Sequence, residues 1–121
     1  MRNQYDKRHA TTVIAAAVLA AYRFIARDGT YATAAGGAKD SQGISEMPAA
    51  AIGEAIPVVT SYSYLVECSE PIALHDYVRP AADGTGRAAV GTATLHCARA
   101  MGATTAAGQL VEVQIVTQRN T

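Results

Sequence analysis

The chain has 121 residues and a mass of 12.6 kDa, the size of one domain and too short for two full ones. Ten Lys and Arg offset ten Asp and Glu, with a pI near 6.8, so no overall field draws it to phosphate backbones or anionic lipid. Nucleic acid and membrane are therefore disfavoured as partners. Half the residues are apolar, but many of these are alanine, with one Phe and no Trp. The core is expected to be thin and to gain from partner subunits.

The most apolar stretch, 10–21 (ATTVIAAAVLAA), follows a basic leader with Arg2, Lys7 and Arg8, superficially the layout of a signal peptide. Its strong apolar residues are only Val13, Ile14, Val18 and Leu19. Tyr22 and Arg23 end it well short of the ~20 residues that span a bilayer. Residues 1–21 are read as an extended N-terminal arm, a short amphipathic helix being the alternative, and 22–121 as a single β domain.

From Tyr22 onward the chain repeats itself. Asp28-Gly29-Thr30 recurs as Asp83-Gly84-Thr85, 55 positions on, and the same shift relates Tyr22 to Tyr77, Gly36 to Gly91, Gly53 to Gly108, Ile56 to Val111 and Val58 to Val113. The pseudo-repeats span about 22–59 and 77–116.

Each copy reads as a run of short strands. An extended entry, 22–26 or 77–81, meets an Asp-Gly turn, where glycine takes positive φ without steric cost and Asp bonds its own backbone. A second short strand, a bend at Gly36 or Gly91, and a third strand at 42–46 or 94–101 follow. An alanine-rich connector, 48–53 or 103–108, has room for one helical turn. The copy closes on a strand at 55–60 or 110–117. In the last, Val111, Val113 and Ile115 share one face while Glu112 and Gln114 share the other, the alternation of a half-buried strand. Between the copies, Tyr62, Tyr64, Val66 and Cys68 line one face of a further strand. Many short strands with closely spaced turn signals predict an all-β fold, a small β-barrel or β-sandwich with at most short helical turns.

Residues suited to chemistry are few. Cys68 with His75 or His96 is the one arrangement open to thiol catalysis, in a small β-barrel enzyme or ligand-binding module. His96 and Cys97 are strand neighbours whose side chains point to opposite faces, which places Cys97 in the core and His96 at the surface. The two cysteines and the histidines lack a zinc spacing. The glycines lack the strand-to-helix setting of a phosphate loop. No metal, no cofactor and no catalytic residue is assigned, and the chain is not read as an enzyme.

Tyr22-Arg23-Phe24-Ile25, then Asp28-Gly29, Gly43-Ile44-Ser45, Ala50-Ala51-Ile52-Gly53-Glu54 and the alternating Ile56 and Val58 form a pattern. A looser second copy comprises Asp76-Tyr77-Val78, Asp83-Gly84-Thr85-Gly86-Arg87-Ala88 and 106–113. The pattern resembles the capsid cement or head decoration proteins of tailed bacteriophages. It departs from that family at Cys97-Ala98-Arg99 and in the Tyr-rich link between the copies. The resemblance implies a β-rich virion protein, made in the host cytoplasm, that binds the outer face of a phage head and bridges neighbouring major capsid protein subunits, often as a homotrimer.

In that setting the contact residues are expected to be Arg2, Lys7 and Arg8 in the arm and Arg23, Tyr62, Tyr64, Tyr77 and Arg79 in the body, since Tyr and Arg dominate interface hot spots. An extended arm suits strand addition to a neighbour's sheet edge. A secreted adhesin-like module with a cleaved leader is a third reading.

Overall fold

The alternation at the end of the sequence forms the longest strand of the molecule. The computed structural model describes residues 10–33 and 37–120. Nine strands run through them: β1 Ala10–Ile14, β2 Phe24–Ala26, β3 Ser41–Ser45, β4 Ala55–Val59, β5 Ser63–Glu67, β6 Tyr77–Pro80, β7 Ala88–Val90, β8 Leu95–Ala100 and β9 Leu110–Asn120. The 3-10 turn Gly37–Lys39 is the one helical element among the described residues.

The strands form two antiparallel sheets, ordered β1-β4-β3-β2 and β5-β9-β8-β6-β7. Neither closes on itself, so of the two predicted forms the fold is the β-sandwich and not the barrel. The connectors 48–53 and 103–108 are turns rather than helical turns. In each, a long polar side chain folds back on the backbone, Glu54 Oε1 accepting from the Ala50 amide at 2.9 Å and Gln109 Oε1 from the Thr105 amide at 2.8 Å. The glycine just before that polar residue takes φ of +96° at Gly53 and +89° at Gly108, a conformation that ends the turn and that other residues rarely adopt.

The duplication is structural and reaches further back than the sequence pattern does. β1-β4-β3-β2 and β5-β9-β8-β6 are the same arrangement, with β7 added at the edge of the second. The Gly53 amide donates to the Ala15 carbonyl, and the Gly108 amide to the Cys68 carbonyl, both at 2.8 Å. The Tyr22 amide donates to Ser45 O at 2.9 Å and the His75 amide to Ala100 O at 3.0 Å. Phe24 pairs with Ile44 as Tyr77 pairs with Arg99.

The 55-residue shift therefore holds from the Asp-Gly turn onward, and the offset is 53 before it. Two additional residues fall between Val78 and Asp83. Tyr22 corresponds to His75, not to Tyr77, whose counterpart is Phe24. The units begin at β1 and β5, so Ala10–Ile14 of the expected arm is an integral strand. It pairs with β4 of its own chain, from Ala10 opposite Val59 to Ile14 opposite Ala55. Residues 1–9 lie outside the described residues, as does the predicted bend at Gly36.

Each unit has a small core built from the same positions. Val13, Ala15, Leu19, Ile25, Ala49, Ile56 and Val58 fill the first. Their counterparts Val66, Cys68, Ile72, Val78, Thr104, Val111 and Val113 are likewise buried in the second. On the opposite face of the first sheet, Phe24 and Ile44 join the second unit's core beside Ala98 and Cys97, with Tyr64 and Ile115 packed against them. One unit thus sits back-to-front on the other, so the thin core expected from composition is shared between two stacked sheets.

Candidate interaction surfaces

The seam between the units is polar at one end. Arg23 reaches across it, donating from Nη1 to Thr85 O at 2.8 Å and from Nη2 to Glu67 Oε1 at 3.4 Å. Its guanidinium lies 5.7 Å from the centroid of the Tyr31 ring. Glu67 also pairs with Arg87 at 3.5 Å. Beside this cluster the Phe24 amide donates to Gly86 O at 2.7 Å and the Glu67 amide to Tyr22 O at 2.9 Å. The Arg23 side chain is only 18% exposed, so it clamps the two units together rather than standing free.

Three more of the predicted contact residues are held within the chain. Tyr64 stacks on Tyr22 with ring centroids 5.9 Å apart. Tyr77 lies between His96, 4.7 Å away, and the Arg99 guanidinium, 4.3 Å from its ring centroid. Arg79 donates from Nε to Val90 O and from Nη1 to Pro80 O, both at 3.2 Å, holding β7 to β6. Tyr62 alone among the described five is strongly exposed, at 57%. Arg2, Lys7 and Arg8 lie outside the described residues.

What the sequence reading missed are exposed apolar side chains on loops and at the end of β1. Ile14, Val18, Met47 and Ile52 are exposed on segments tied together by the Leu19–Ala49 bridge and the Gly53–Ala15 hydrogen bond, at one end of the first unit. In the second unit, exposed Leu74 and Met101 border an open groove of about 420 Å³, with His75, Arg99 and Gln114 along it. The available signal was Val18, Met47 and Ile52 standing where loop positions are ordinarily polar. A second, more polar groove of about 290 Å³ lies where Thr11, Arg27 and Gln42 of the first unit meet Val116 and Thr117 of β9.

The residues weighed for thiol chemistry are dispersed. The Cys68 thiol is buried and donates to Thr104 Oγ1 and Ala106 O, at 3.3 and 3.2 Å. Neither His75 nor His96 is among these partners. His75 is exposed, while His96 Nδ1 is 2.9 Å from Thr92 O. Cys97 is buried, as the strand alternation predicts, and burial pushes its thiol well above the usual range. Both cysteines are free.

The repeated Asp-Gly-Thr turns carry the same bonds in both units. Asp28 Oδ1 accepts from the Thr30 amide at 3.1 Å and its hydroxyl at 2.6 Å; Asp83 Oδ1 accepts from Thr85 at 3.1 and 2.7 Å. The threonine hydroxyl bond is the main reason both carboxyls lie below the ordinary aspartate value, and Lys39 adds to it at Asp28.

No protein-family model matches the chain, and no curated protein sequence does either. Among solved structures it is similar to the head fiber gp8.5 N base of bacteriophage phi29, with a TM-score of 0.62 over 92% of this chain and 96% of that one, at 18% identity. The phage-head likeness carried by the sequence motifs is thus met by a likeness in fold.

Proposed function

We propose that the chain is a structural protein of a tailed-phage virion that binds the outer surface of the head, bridges major capsid protein subunits and acts as a homotrimer. The observation that carries this reading is the likeness of its two stacked β-units, over nearly their whole length, to the base of a phage head fibre. The sequence motifs, read independently, support the same setting. The exposed Ile14, Val18, Met47 and Ile52 at one end of the first unit are apolar surface of the kind that marks a binding face. Many copies bound side by side make weak individual contacts collectively strong.

The test is to mix the purified chain with heads assembled without it from the major capsid protein of the same phage, then sediment the particles and image them. Saturable binding at regular positions on the head exterior is expected. A chain that stays in the supernatant at every concentration, or that is found only inside the shell, overturns the proposal.

A further inference from the structure

Asp-Gly-Thr stands at 28–30 and again at 83–85. An aspartate followed by glycine is a labile pair, because glycine has no Cβ to shield its amide nitrogen from the neighbouring carboxyl carbon. In both turns the carboxylate holds the threonine by the same two bonds. The surroundings of the glycines differ. Gly29 is buried, its amide donating to Ala26 O at 3.1 Å and its carbonyl accepting from the Ala16 amide at 3.0 Å. A Cβ there would strike Ile14 O. Asp28 is tied down as well, since Lys39 Nζ lies 3.0 Å from its Oδ2 and donates to Thr30 Oγ1 at 2.6 Å.

The second turn is looser. The Ala26 amide closes the first turn on Thr30 O, whereas the Ala81 amide reaches past Thr85 to Arg87 O, both at 2.7 Å. Asp83 and Gly84 are exposed, and a Cβ on Gly84 would meet nothing within 4 Å. Among the described residues the Gly84 amide has no hydrogen-bond acceptor, and no cation pairs with Asp83 as Lys39 does with Asp28. The nucleophile and the carboxyl are thus locked together with their neighbours in one copy and left to rotate in the other.

From this contrast we infer that Asp83–Gly84 is a site of spontaneous modification, rearranging to isoaspartate, and that the fold protects the identical pair Asp28–Gly29. The Gly84 nitrogen attacks Asp83 Cγ in its neutral carboxyl form. A C–N bond forms, a carboxyl C–O bond breaks, and the amide proton leaves with the hydroxyl as water. The cyclic imide that remains takes water back at either carbonyl. Opening at Cγ restores aspartate; opening at the main-chain carbonyl routes the backbone through the side chain and lengthens it by one carbon. Such a change falls beside the seam, because Thr85 O accepts from Arg23 Nη1 at 2.8 Å and Thr85 is held by the Asp83 carboxylate that the rearrangement moves.

The test ages the full-length chain at neutral pH and physiological temperature in heavy-oxygen water, which leaves one labelled oxygen wherever the imide has formed and reopened. Peptide mass spectrometry then reads the label and the isoaspartate at each site. In the folded chain Asp83 should gain label at least about tenfold faster than Asp28, the ratio that a hydrogen bond and an ion pair lost together supply. The same chain held unfolded in denaturant should label both sites at similar rates. Asp83→Glu, whose longer side chain disfavours ring closure, should remove the label at that position and leave Asp28 unchanged, with the circular dichroism spectrum checking that it folds. Equal label at the two sites in the folded chain, or none at Asp83, overturns the inference. So does an unfolded chain that still spares Asp28, since the difference would then belong to the flanking sequence and not to the fold.

Discussion

Ala15 and Cys68 hold the same place in two copies of one β-unit, each accepting a glycine amide at 2.8 Å. Across from them stand Ala49 and Thr104. In the first unit the Leu19 amide donates to the Ala49 carbonyl; in the second the Ile72 amide donates at 3.0 Å to the Thr104 hydroxyl, which also receives the Cys68 thiol. The second unit has exchanged two alanines for a larger, mutually bonded pair.

Substitution back toward the first unit should therefore be non-additive. Thr104→Ala leaves the buried Ile72 amide without its acceptor and should cost about 2 kcal/mol. Cys68→Ala should cost about 1 kcal/mol for the vacated volume. The double variant should cost less than the two combined, because the arrangement of the first unit becomes accessible. Urea unfolding of the three variants checks this, and strict additivity would mean that the second unit cannot relax to the first unit's form.

Gly84 and Gly86 both have positive φ, at +79° and +72°, but only one is confined. A Cβ at Gly84 meets nothing within 4 Å, whereas at Gly86 it would lie 2.6 Å from Tyr31 Cδ1 and 2.7 Å from Phe24 O. Gly84→Ala should cost about 1 kcal/mol, from backbone strain alone. Gly86→Ala should cost about 3 kcal/mol or more, because it also pushes the units apart at their seam. Thermal melts of the two variants, compared directly, test whether the seam is part of the cooperative fold.

The contrast between these glycines also marks what was legible in the sequence. The Asp-Gly-Thr turns were readable because their chemistry is local, one carboxylate bonding the residue two places on. The strand at 110–117 was readable from the alternation of Val111, Glu112, Val113 and Gln114. The two-residue slip between the units was not, since Tyr22 and Ala26, before the turn, meet Tyr77 and Ala81 at the offset that holds only after it. Nor was the place of Ala10–Ile14 in the sheet, whose partner β4 lies more than 40 residues away and whose composition fits an arm as well as a strand. For the candidate surfaces, residue type pointed to Tyr and Arg side chains, but tertiary packing draws Arg23, Tyr64, Tyr77 and Arg79 into the molecule. It leaves Tyr62 outside, with Leu74 and Met101 on loops where no periodicity singles them out.

Arg23 is the sharpest case, for a residue expected to serve a partner instead joins two halves of one chain. Arg23→Ala removes the charged hydrogen bond to Thr85 O and one of the two arginines on Glu67. A loss of about 2 kcal/mol is expected, the usual figure for a hydrogen bond to a charged group in a largely covered site. Glu67→Ala should cost less, about 1 kcal/mol or below, since both its ion pairs are partly solvated and weak. Chemical denaturation distinguishes these outcomes, and a silent Arg23→Ala would show that the clamp contributes nothing to the fold.

Acid stability follows from Asp28 and Asp83. Both carboxyls titrate below the ordinary aspartate value in the folded chain, chiefly because the charged form accepts the threonine hydroxyl bond. A depressed folded-state pKa means the unfolded chain takes up protons first as the pH falls. Its contribution to stability is therefore present above the unfolded value, about 3.9, and is lost as the pH drops through it toward the folded one. Between pH 5 and 7 these two groups should leave stability flat, and below about pH 4 they should steepen its decline. Asp28→Asn/Asp83→Asn should be less stable than the native chain at pH 7, with the difference shrinking as the pH falls below about 4. Melting temperatures that run parallel across the whole range would show that the paired turns hold their threonines equally well with neutral side chains.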